Sequence, residues 1–268
     1  MAQRTDPQRA WKAGASIGLV VRDAVVRNSK AVTDALGAVA SEAIMLTGAS
    51  RLRARRRAAP SPDAVFLWIP KTAGASLSSL IDAQAGLGYL DYHRAKWIFP
   101  NTGTVHFGHM RYLDLLADGV VSQDFDRRAY KFCVVRNPYD RAVSLFHYLM
   151  KQGHLIDGMR FDWFAELLAQ GHFDPIGRYN VRGLSQCNPQ ISWLCDDEGQ
   201  LIPDLIGRFE DLDPFLRTLG TRLGITGSMP QLNRSTRRDY RTYYRSTLTR
   251  SNIELCYRED LETFGYEF

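Results

Sequence analysis

Cysteine is scarce in this 268-residue chain, with four residues in total. They form neither a C-x-x-C pair nor a Cys/His cluster with the spacing of a zinc site, so the common zinc-binding modules are excluded. Such low cysteine use favours the reducing cytoplasm, although a disulfide between Cys187 and Cys195 stays open on sequence alone. Cys133 lies within an apolar run and is expected to be a small core residue.

Long hydrophobic runs are also absent. No stretch has the length and apolarity of a membrane-spanning helix, because the segment GASIGLVV is followed at once by Arg22 and Asp23. The beginning of the sequence lacks the basic start, apolar centre and small-residue cleavage site of a secretory signal. We therefore expect a cytoplasmic protein.

Acidic residues are outnumbered by basic ones, 29 to 34, which gives a net charge of +5. Much of the excess lies in residues 51–57 and 233–245. A basic surface attracts anionic substrates or cofactors, whereas none of the usual nucleic-acid recognition motifs is present. The charge therefore favours an anionic ligand and no nucleic-acid partner.

Proline is absent between Pro7 and Pro60, and residues 1–59 are rich in Ala, Val and Arg. Apolar residues recur there at roughly helical spacing, at Ile17, Val21, Val25, Val32, Leu36 and Val39. We predict an N-terminal helical extension over residues 1–59 and a main domain over residues 60–268. The extension is expected to pack on the main domain or on a neighbouring subunit. A helix lying on a membrane surface is the alternative, although no Trp or Phe marks the apolar face.

The main domain alternates short apolar runs with helical patterns. Apolar runs of this kind are typical of strands buried in a parallel sheet, and they are found at residues 64–69, 104–110, 130–135 and 204–212. Helical spacing of apolar residues is found at residues 74–84, 138–150 and 253–264. Strands that alternate with helices predict an α/β domain with a central, mostly parallel sheet flanked by helices.

The stretch FLWIPKTAGASLSSLI leads from the first predicted strand into the first predicted helix. It lacks the order G-x-x-x-x-G-K-[ST] of an ATP-binding phosphate loop, because Lys71 precedes the small-residue turn. The turn still suits an anion, since backbone N–H groups and the helix dipole face a ligand at such a junction. Gly74 allows a close approach of the backbone, and Thr72 and Ser76 add hydroxyl donors. A tight turn with an exposed lysine is the alternative.

A second junction follows the predicted strand at residues 130–135. Arg136 can grip a phosphate with two hydrogen bonds, Asn137 can cap the next helix, and Pro138 fits its first turn. Ser144 lies about two helical turns further on. The alternative for Arg136 is a structural salt bridge at the sheet edge. Because ligands bind at the carboxyl ends of parallel strands, the two junctions together predict a nucleoside that carries phosphates at both ends.

The motifs of these junctions resemble those of the sulfotransferases. PKTAGASL is similar to their 5′-phosphosulfate loop, and FCVVRNPYDRAVSLF is similar to their 3′-phosphate motif. The later segments resemble the Golgi-type and bacterial carbohydrate sulfotransferases, namely NPQISWLCD, DLIGRFEDL, LNRSTRRDYRTYY and YREDLETFGYEF. The resemblance covers residues 64–268. It implies a P-loop-like, three-layer α/β fold. It also implies an enzyme that transfers the sulfuryl group of 3′-phosphoadenosine 5′-phosphosulfate (PAPS) to a hydroxyl or amine, without a metal and with PAP as the product.

The resemblance also assigns the donor site. Lys71 would meet the bridging oxygen beside the transferred sulfur, where negative charge develops. The residues that would hold the 5′ end are Lys71, Thr72, Ala73, Gly74, Ala75 and Ser76, and those that would hold the 3′-phosphate are Arg136 and Ser144. A late loop is expected to close over the cofactor, with candidate contacts at Arg234, Ser235, Arg237 and Arg238.

The segment HFGHMRYLDL resembles the part of the family that supplies the catalytic base, and this role carries over to His109. A neutral imidazole near pH 7 suits proton abstraction from an acceptor hydroxyl, while a purely structural hydrogen bond is the alternative. His106 and His147 are expected to be structural. Trp193 would either stack on a sugar or adenine, in a cleft lined by NPQISWL, or lie half-buried.

Three functions stay open from the sequence. The first is a PAPS-dependent sulfotransferase that acts on a carbohydrate hydroxyl, and the basic surface favours an acidic polysaccharide. The second is an ATP-dependent kinase of related fold, against which the position of Lys71 argues. The third is a non-catalytic scaffold that retains the nucleotide-binding fold, against which the presence of Lys71, Arg136 and His109 argues.

Overall fold

The computed structural model describes most of the main domain, namely residues 62–84, 86–173, 184–226 and 237–268. The predicted helical extension over residues 1–59 and the candidate donor contacts Arg234 and Ser235 lie outside these ranges. No helix within them has the length and apolarity needed to cross a bilayer. All four cysteines are described and none of them forms a disulfide, so the bond between Cys187 and Cys195 that the sequence left open is not present.

Among the described residues, five short strands form one parallel sheet. In chain order the strands are β1 (Ala64–Leu67), β2 (Gly86–Tyr89), β3 (Thr104–His106), β4 (Tyr130–Val135) and β5 (Leu205–Arg208). Their order across the sheet is β2-β3-β1-β4-β5, and every neighbouring pair is parallel. In the central strand β1, Phe66 lies opposite His106 of β3 and Phe132 of β4. The prediction of an α/β domain with a central parallel sheet is confirmed.

Helices connect the strands and continue beyond the last one. In the described part of the chain they are α1 (Gly74–Gln84), α2 (Tyr92–Ile98), α3 (Tyr112–Ala117), α4 (Gln123–Arg128), α5 (Pro138–Lys151), α6 (Phe161–Ala169), α7 (Asp213–Leu223), α8 (Thr247–Cys256) and α9 (Arg258–Phe264). Two 3-10 helices are η1 (Gln190–Trp193) and η2 (Tyr240–Tyr243). The single closing helix expected from the sequence is wrong, because α8 and α9 are separated at Tyr257. Gly265 ends α9 in the left-handed conformation.

Apolar side chains cover both faces of the sheet. Along β1, Val65 and Leu67 belong to one core cluster, whereas Ala64 and Phe66 belong to another. This alternation follows from the two-residue period of a strand. The second cluster is completed by helix residues that include Leu77, Leu80 and Ile81 of α1 and Phe215, Leu219 and Leu223 of α7. The first cluster includes Phe125 of α4, Trp193 of η1 and Phe264 of α9. Helices therefore pack on each face, and the sheet is the middle of three layers.

Candidate active site

Three of the segments that the sequence singled out meet at one edge of the sheet. The carboxyl ends of β3, β1 and β4 lie side by side, because these strands are neighbours. His109 follows β3, Lys71 follows β1 and Arg136 follows β4. Open parallel sheets bind their ligands at this edge. The topology therefore places the three residues where a shared ligand can reach them.

The segments after β1 and β4 are in direct contact. Nη1 of Arg136 donates a hydrogen bond to the carbonyl oxygen of Lys71 at 3.0 Å, although the two residues are 65 positions apart. Nε of Arg141, in the first turn of α5, donates to the carbonyl oxygen of Pro70 at 3.1 Å. Two arginines thus hold the backbone of the Lys71 turn against the start of α5.

The turn between β1 and α1 has an unusual backbone. Lys71 and Ala73 adopt the left-handed conformation, with φ of 69° and 67°, whereas Thr72 between them does not. Alternation of left-handed and ordinary residues points successive N–H groups to one side and forms an anion-binding concavity. The start of α1 directly follows and adds its own N–H groups. The strained backbone is therefore suited to an anion such as a phosphate.

Thr72 serves this turn differently from the sequence-based expectation. Its side chain is fully buried, and its hydroxyl donates to the carbonyl oxygen of Ile69 at 3.0 Å. A hydroxyl has one hydrogen to donate, so this bond uses it within the turn. Thr72 is left to offer its backbone N–H group to a ligand.

Gly74 is explained by a neighbouring side chain. A Cβ atom at this position would lie 1.7 Å from Nε1 and 2.1 Å from Cδ1 of Trp68. The sequence suggested that a ligand fills this space, but the indole ring of Trp68 fills it. Glycine is therefore required here by packing within the protein.

Lys71 sits over an aromatic ring of α5. Its Nζ atom lies 4.3 Å from the ring centroid of Tyr148, a distance typical of a cation–π contact. The side chain is half-buried. The contact holds the ammonium group next to the turn that carries it.

Arg136 forms the salt bridge that the sequence left as its alternative role. The side chain is buried, and Nε and Nη2 donate to Oδ2 of Asp140 at 2.8 and 2.6 Å. The guanidinium also packs on Phe209, 4.0 Å from the ring centroid. A guanidinium has five N–H groups, so the ion pair and the bond to the Lys71 carbonyl do not use all of them.

Asp140 joins a second arginine to the first. Its other oxygen, Oδ1, accepts a hydrogen bond from Nη2 of Arg237. The side chains of Asp140 and Arg237 are both largely buried, with 15% and 10% of their surface exposed. A carboxylate therefore lies between two guanidinium groups, and Arg237 from the predicted late loop lies beside Arg136. The pairing of Asp140 with Arg237, 97 positions away, has no local signal in the sequence.

The start of α5 agrees with the sequence-based expectation. The helix begins at Pro138, and Oδ1 of Asn137 accepts a hydrogen bond from the backbone N–H of Tyr139 at 3.0 Å.

Asp140, Ser144 and Tyr148 follow at intervals of four residues, which places them on one face of α5. Ser144 is half-buried. This face of α5 runs from the arginine pair to Lys71.

His109 is held in one tautomer. Its Nδ1 atom lies 2.9 Å from the carbonyl oxygen of Trp68, and because a carbonyl oxygen only accepts, Nδ1 carries the proton of the neutral ring. Burial lowers the pKa of His109 to about 4, and the charges of Lys71 and Arg141 act in the same direction. The imidazole is therefore neutral at pH 7, with Nε2 as its unprotonated nitrogen.

His106 and His147 are structural, as expected. His106 is buried at 2% exposure and contacts the rings of Phe66, Trp68 and Tyr89. His147 forms a hydrogen bond of 2.8 Å between Nε2 and the hydroxyl of Tyr243.

Trp193 is not a stacking surface. Only 2% of it is exposed, and its Nε1 atom donates to the carbonyl oxygen of His109 at 3.0 Å. Gln190, in the same segment, is fully buried. The segment NPQISWL therefore contributes these two side chains to the interior, which makes the stacking role suggested for Trp193 wrong.

Comparison with known proteins agrees with this arrangement. Residues 57–267 match the pattern of the Sulfotransferase family. No curated protein is significantly similar to the chain. One similar solved structure is mouse sulfotransferase SULT7A1 complexed with PAP, with 18% identity, coverage of 72% of this chain and 83% of that chain, and a TM-score of 0.44. The family match spans most of the chain and all three segments of the site, and the chain therefore belongs to the sulfotransferase family, whose enzymes take the sulfuryl group from PAPS.

Proposed function

We propose that this enzyme moves the sulfuryl group of PAPS to a carbohydrate hydroxyl by metal-free, in-line transfer, and that it works in the cytoplasm. One observation supports the donor site above all others, namely the contact between Arg136 and the Lys71 turn across neighbouring strand ends. A nucleotide with a charged group at each end fits two anion sites that touch each other. The choice of a carbohydrate rests on the resemblance of the later segments and on the net charge of +5.

The 5′ end of PAPS would lie in the concavity between Lys71 and Ser76. The left-handed residues Lys71 and Ala73 orient the backbone N–H groups there, and the N-terminus of the 11-residue helix α1 favours negative charge. Charge-assisted hydrogen bonds of this kind are each worth roughly 1.5–3 kcal/mol. Several of them together would hold a phosphosulfate without a metal.

The 3′-phosphate would lie on the face of α5. Arg136 keeps N–H groups beyond those that bind Asp140 and the Lys71 carbonyl, and Ser144 offers its hydroxyl two turns along. Arg237 lies beside Arg136 through their common partner Asp140. We include Arg234 and Ser235 in this site as well, on the basis of the resemblance alone.

The transfer step needs a base and a group that stabilises the leaving oxygen. The acceptor oxygen forms a bond to sulfur while the bond between sulfur and the bridging oxygen of PAPS breaks, and PAP leaves with that electron pair. Lys71 stabilises the charge on the bridging oxygen. Nε2 of His109 accepts the proton of the acceptor hydroxyl. The phosphosulfate of bound PAPS would raise the pKa of His109 from its low value, because a nearby negative charge favours the imidazolium.

A transfer assay tests this proposal. Labelled PAPS is incubated with a panel of acceptors, including acidic polysaccharides, neutral glycans, small metabolites and tyrosine peptides, in the presence of EDTA. We expect turnover on a carbohydrate that survives chelation. Transfer that requires ATP and Mg²⁺ would instead identify a kinase, and tight PAPS binding without any turnover would identify a scaffold.

Two variants with matched controls assign the roles of the residues. Lys71→Ala and His109→Ala are expected to lower kcat far more than donor affinity, because both act on the transition state. The controls are Lys96→Ala and His93→Ala, which remove exposed side chains of the same types on α2. If His109→Ala turns over as fast as His93→Ala, His109 is not the base.

A further inference from the structure

We propose that η1 is a positioning element that fixes the donor-binding residue and the base through two separate side chains. Gln190 would position Arg136, and Trp193 would position His109. The inference rests on the proposed function of these two residues. It assigns a role to a segment that the proposed transfer step does not use.

Gln190 binds both backbone groups of Arg136. Its Oε1 atom accepts from the N–H of Arg136 at 2.9 Å, and its Nε2 atom donates to the carbonyl oxygen of Arg136 at 2.8 Å. The side chain is fully buried, so water cannot replace these bonds. Arg136 directly follows β4, and the amide of Gln190 fixes the direction in which the chain leaves the sheet.

Trp193 holds the other side of the site from three residues further along. Its indole N–H donates to the carbonyl oxygen of His109 at 3.0 Å. Nδ1 of His109 in turn contacts the carbonyl oxygen of Trp68. The backbone and the ring of His109 are therefore held by two tryptophan residues from different segments.

Asp260 of α9 anchors η1 itself. Its Oδ2 atom accepts from the backbone N–H of Gln190 at 2.8 Å and from its Nε2 at 3.3 Å, and its Oδ1 atom accepts from the backbone N–H of Ile191 at 2.8 Å. Asp260 is fully buried. A carboxylate at the start of a helical turn satisfies N–H groups that would otherwise have no partner. The amide of Gln190 is thus oriented by Asp260 before it binds Arg136.

The position of η1 in the fold explains why one short segment serves both residues. His109 follows β3 and Arg136 follows β4, and these strands are separated by β1 in the sheet. The two residues therefore cannot be aligned by direct strand pairing. The four-residue turn η1 bonds to Arg136 and to His109. It thereby fixes the distance between the 3′-phosphate site and the base across the intervening strand.

Two conservative variants separate the two contacts. Gln190→Met keeps the size of the side chain and removes both bonds to Arg136, whereas Trp193→Phe keeps a large ring and removes the bond to His109. The control is Ile191→Val, which trims a half-buried side chain of the same turn and keeps its backbone N–H. Each protein is measured for PAP affinity by calorimetry, for kcat at saturating PAPS, and for melting temperature.

We expect the effects to divide between the variants. Gln190→Met weakens PAP binding about tenfold, the equivalent of one or two hydrogen bonds, and changes kcat less than about threefold. Trp193→Phe leaves PAP affinity within about twofold and lowers kcat about tenfold, because a misplaced base affects the transition state. Ile191→Val changes the melting temperature alone. A wild-type-like affinity and kcat in both variants, or the same parameter affected in both, would overturn the inference.

A second measurement covers the case in which Gln190→Met does not fold. Gln190→Glu keeps the acceptor for the N–H of Arg136 and loses the donor to its carbonyl while ionised, and protonation of the new carboxyl restores a donor. Its PAP affinity relative to wild type should therefore recover as the pH falls, and a constant ratio would contradict the inference. Wild-type protein that binds no PAP would overturn the proposed function, whereas active wild-type protein without the divided effects would overturn only the role of η1.

Discussion

The substitution Gly74→Ala tests the packing of the donor turn. Replacement of glycine by alanine in a helix usually stabilises a protein by roughly 0.5–1 kcal/mol. Here the new Cβ would lie 1.7 Å from Nε1 of Trp68, so the indole must leave its place. We therefore expect the opposite sign, a loss of stability.

The size of this loss of stability follows from the aromatic contacts that the indole of Trp68 would lose. The ring of Trp68 lies 5.0 Å from that of His109, 5.1 Å from that of His106 and 5.9 Å from that of Phe66. Each aromatic contact contributes about 0.5–1.5 kcal/mol beyond burial. After the gain in helix propensity is subtracted, the free energy of unfolding should fall by roughly 1–3 kcal/mol.

Chemical denaturation of four proteins measures this effect. Gly74→Ala is compared with wild type, and the same change is made in a Trp68→Leu background, where the smaller side chain leaves room for the Cβ. The double-mutant cycle should show that Gly74→Ala is destabilising with Trp68 and neutral or stabilising with leucine. A neutral or stabilising effect in the wild-type background would refute the account of Gly74.

Three further predictions concern the same site. Ala73→Gly replaces a left-handed alanine with φ of 67° and should raise the free energy of unfolding, measured in urea, by roughly 0.5–1 kcal/mol. Relief of the backbone strain stabilises the variant, and the greater chain entropy of unfolded glycine offsets part of that gain. A decrease would contradict the left-handed backbone. Asp140→Asn leaves Arg136 and Arg237 facing each other without their carboxylate, so the free energy of unfolding should fall by about 3 kcal/mol. Added PAP should then raise the melting temperature of the variant more than that of wild type. An unchanged stability would show that the ion pair is not formed. His109 has a pKa of about 4 in the folded protein, against an ordinary value of 6.5. As the pH falls from 6.5 to 4, the unfolded chain therefore binds a proton that the folded protein does not, and roughly 3 kcal/mol of stability should be lost. His109→Gln should lack this part of the pH dependence, and identical stability–pH profiles of variant and wild type would place the histidine in solvent.

Local sequence signals predicted the elements that frame the site. The run that forms β4 and the small-residue pattern that forms α1 have the predicted bounds, Tyr130–Val135 and Gly74–Gln84, because continuous apolar segments and Asn-Pro or glycine junctions act over a few residues. β2 has no such signal, since its sequence is GLGY. Two glycines weaken any strand preference, and these residues form a strand because they pair with β3.

In the candidate site too, the sequence predicted what local signals determine and missed the contacts between distant residues. The sequence predicted that Lys71 and Arg136 would meet at neighbouring strand ends, since alternating strands and helices imply a parallel sheet with its ligands at one edge. It could not predict that Asp140 joins Arg136 to Arg237, or that Gln190 binds the backbone of Arg136. These contacts span 97 and 54 positions of the chain, and only the folded topology brings their partners together.

A crystal structure of the protein with PAP tests the central claim most directly. We predict a single PAP molecule that lies across the ends of β1 and β4, with its 5′-phosphate on the backbone N–H groups of residues 71–75 and the hydroxyl of Ser76, and its 3′-phosphate on Arg136 and Ser144. PAP bound elsewhere, or bound with either phosphate away from these groups, would contradict the account.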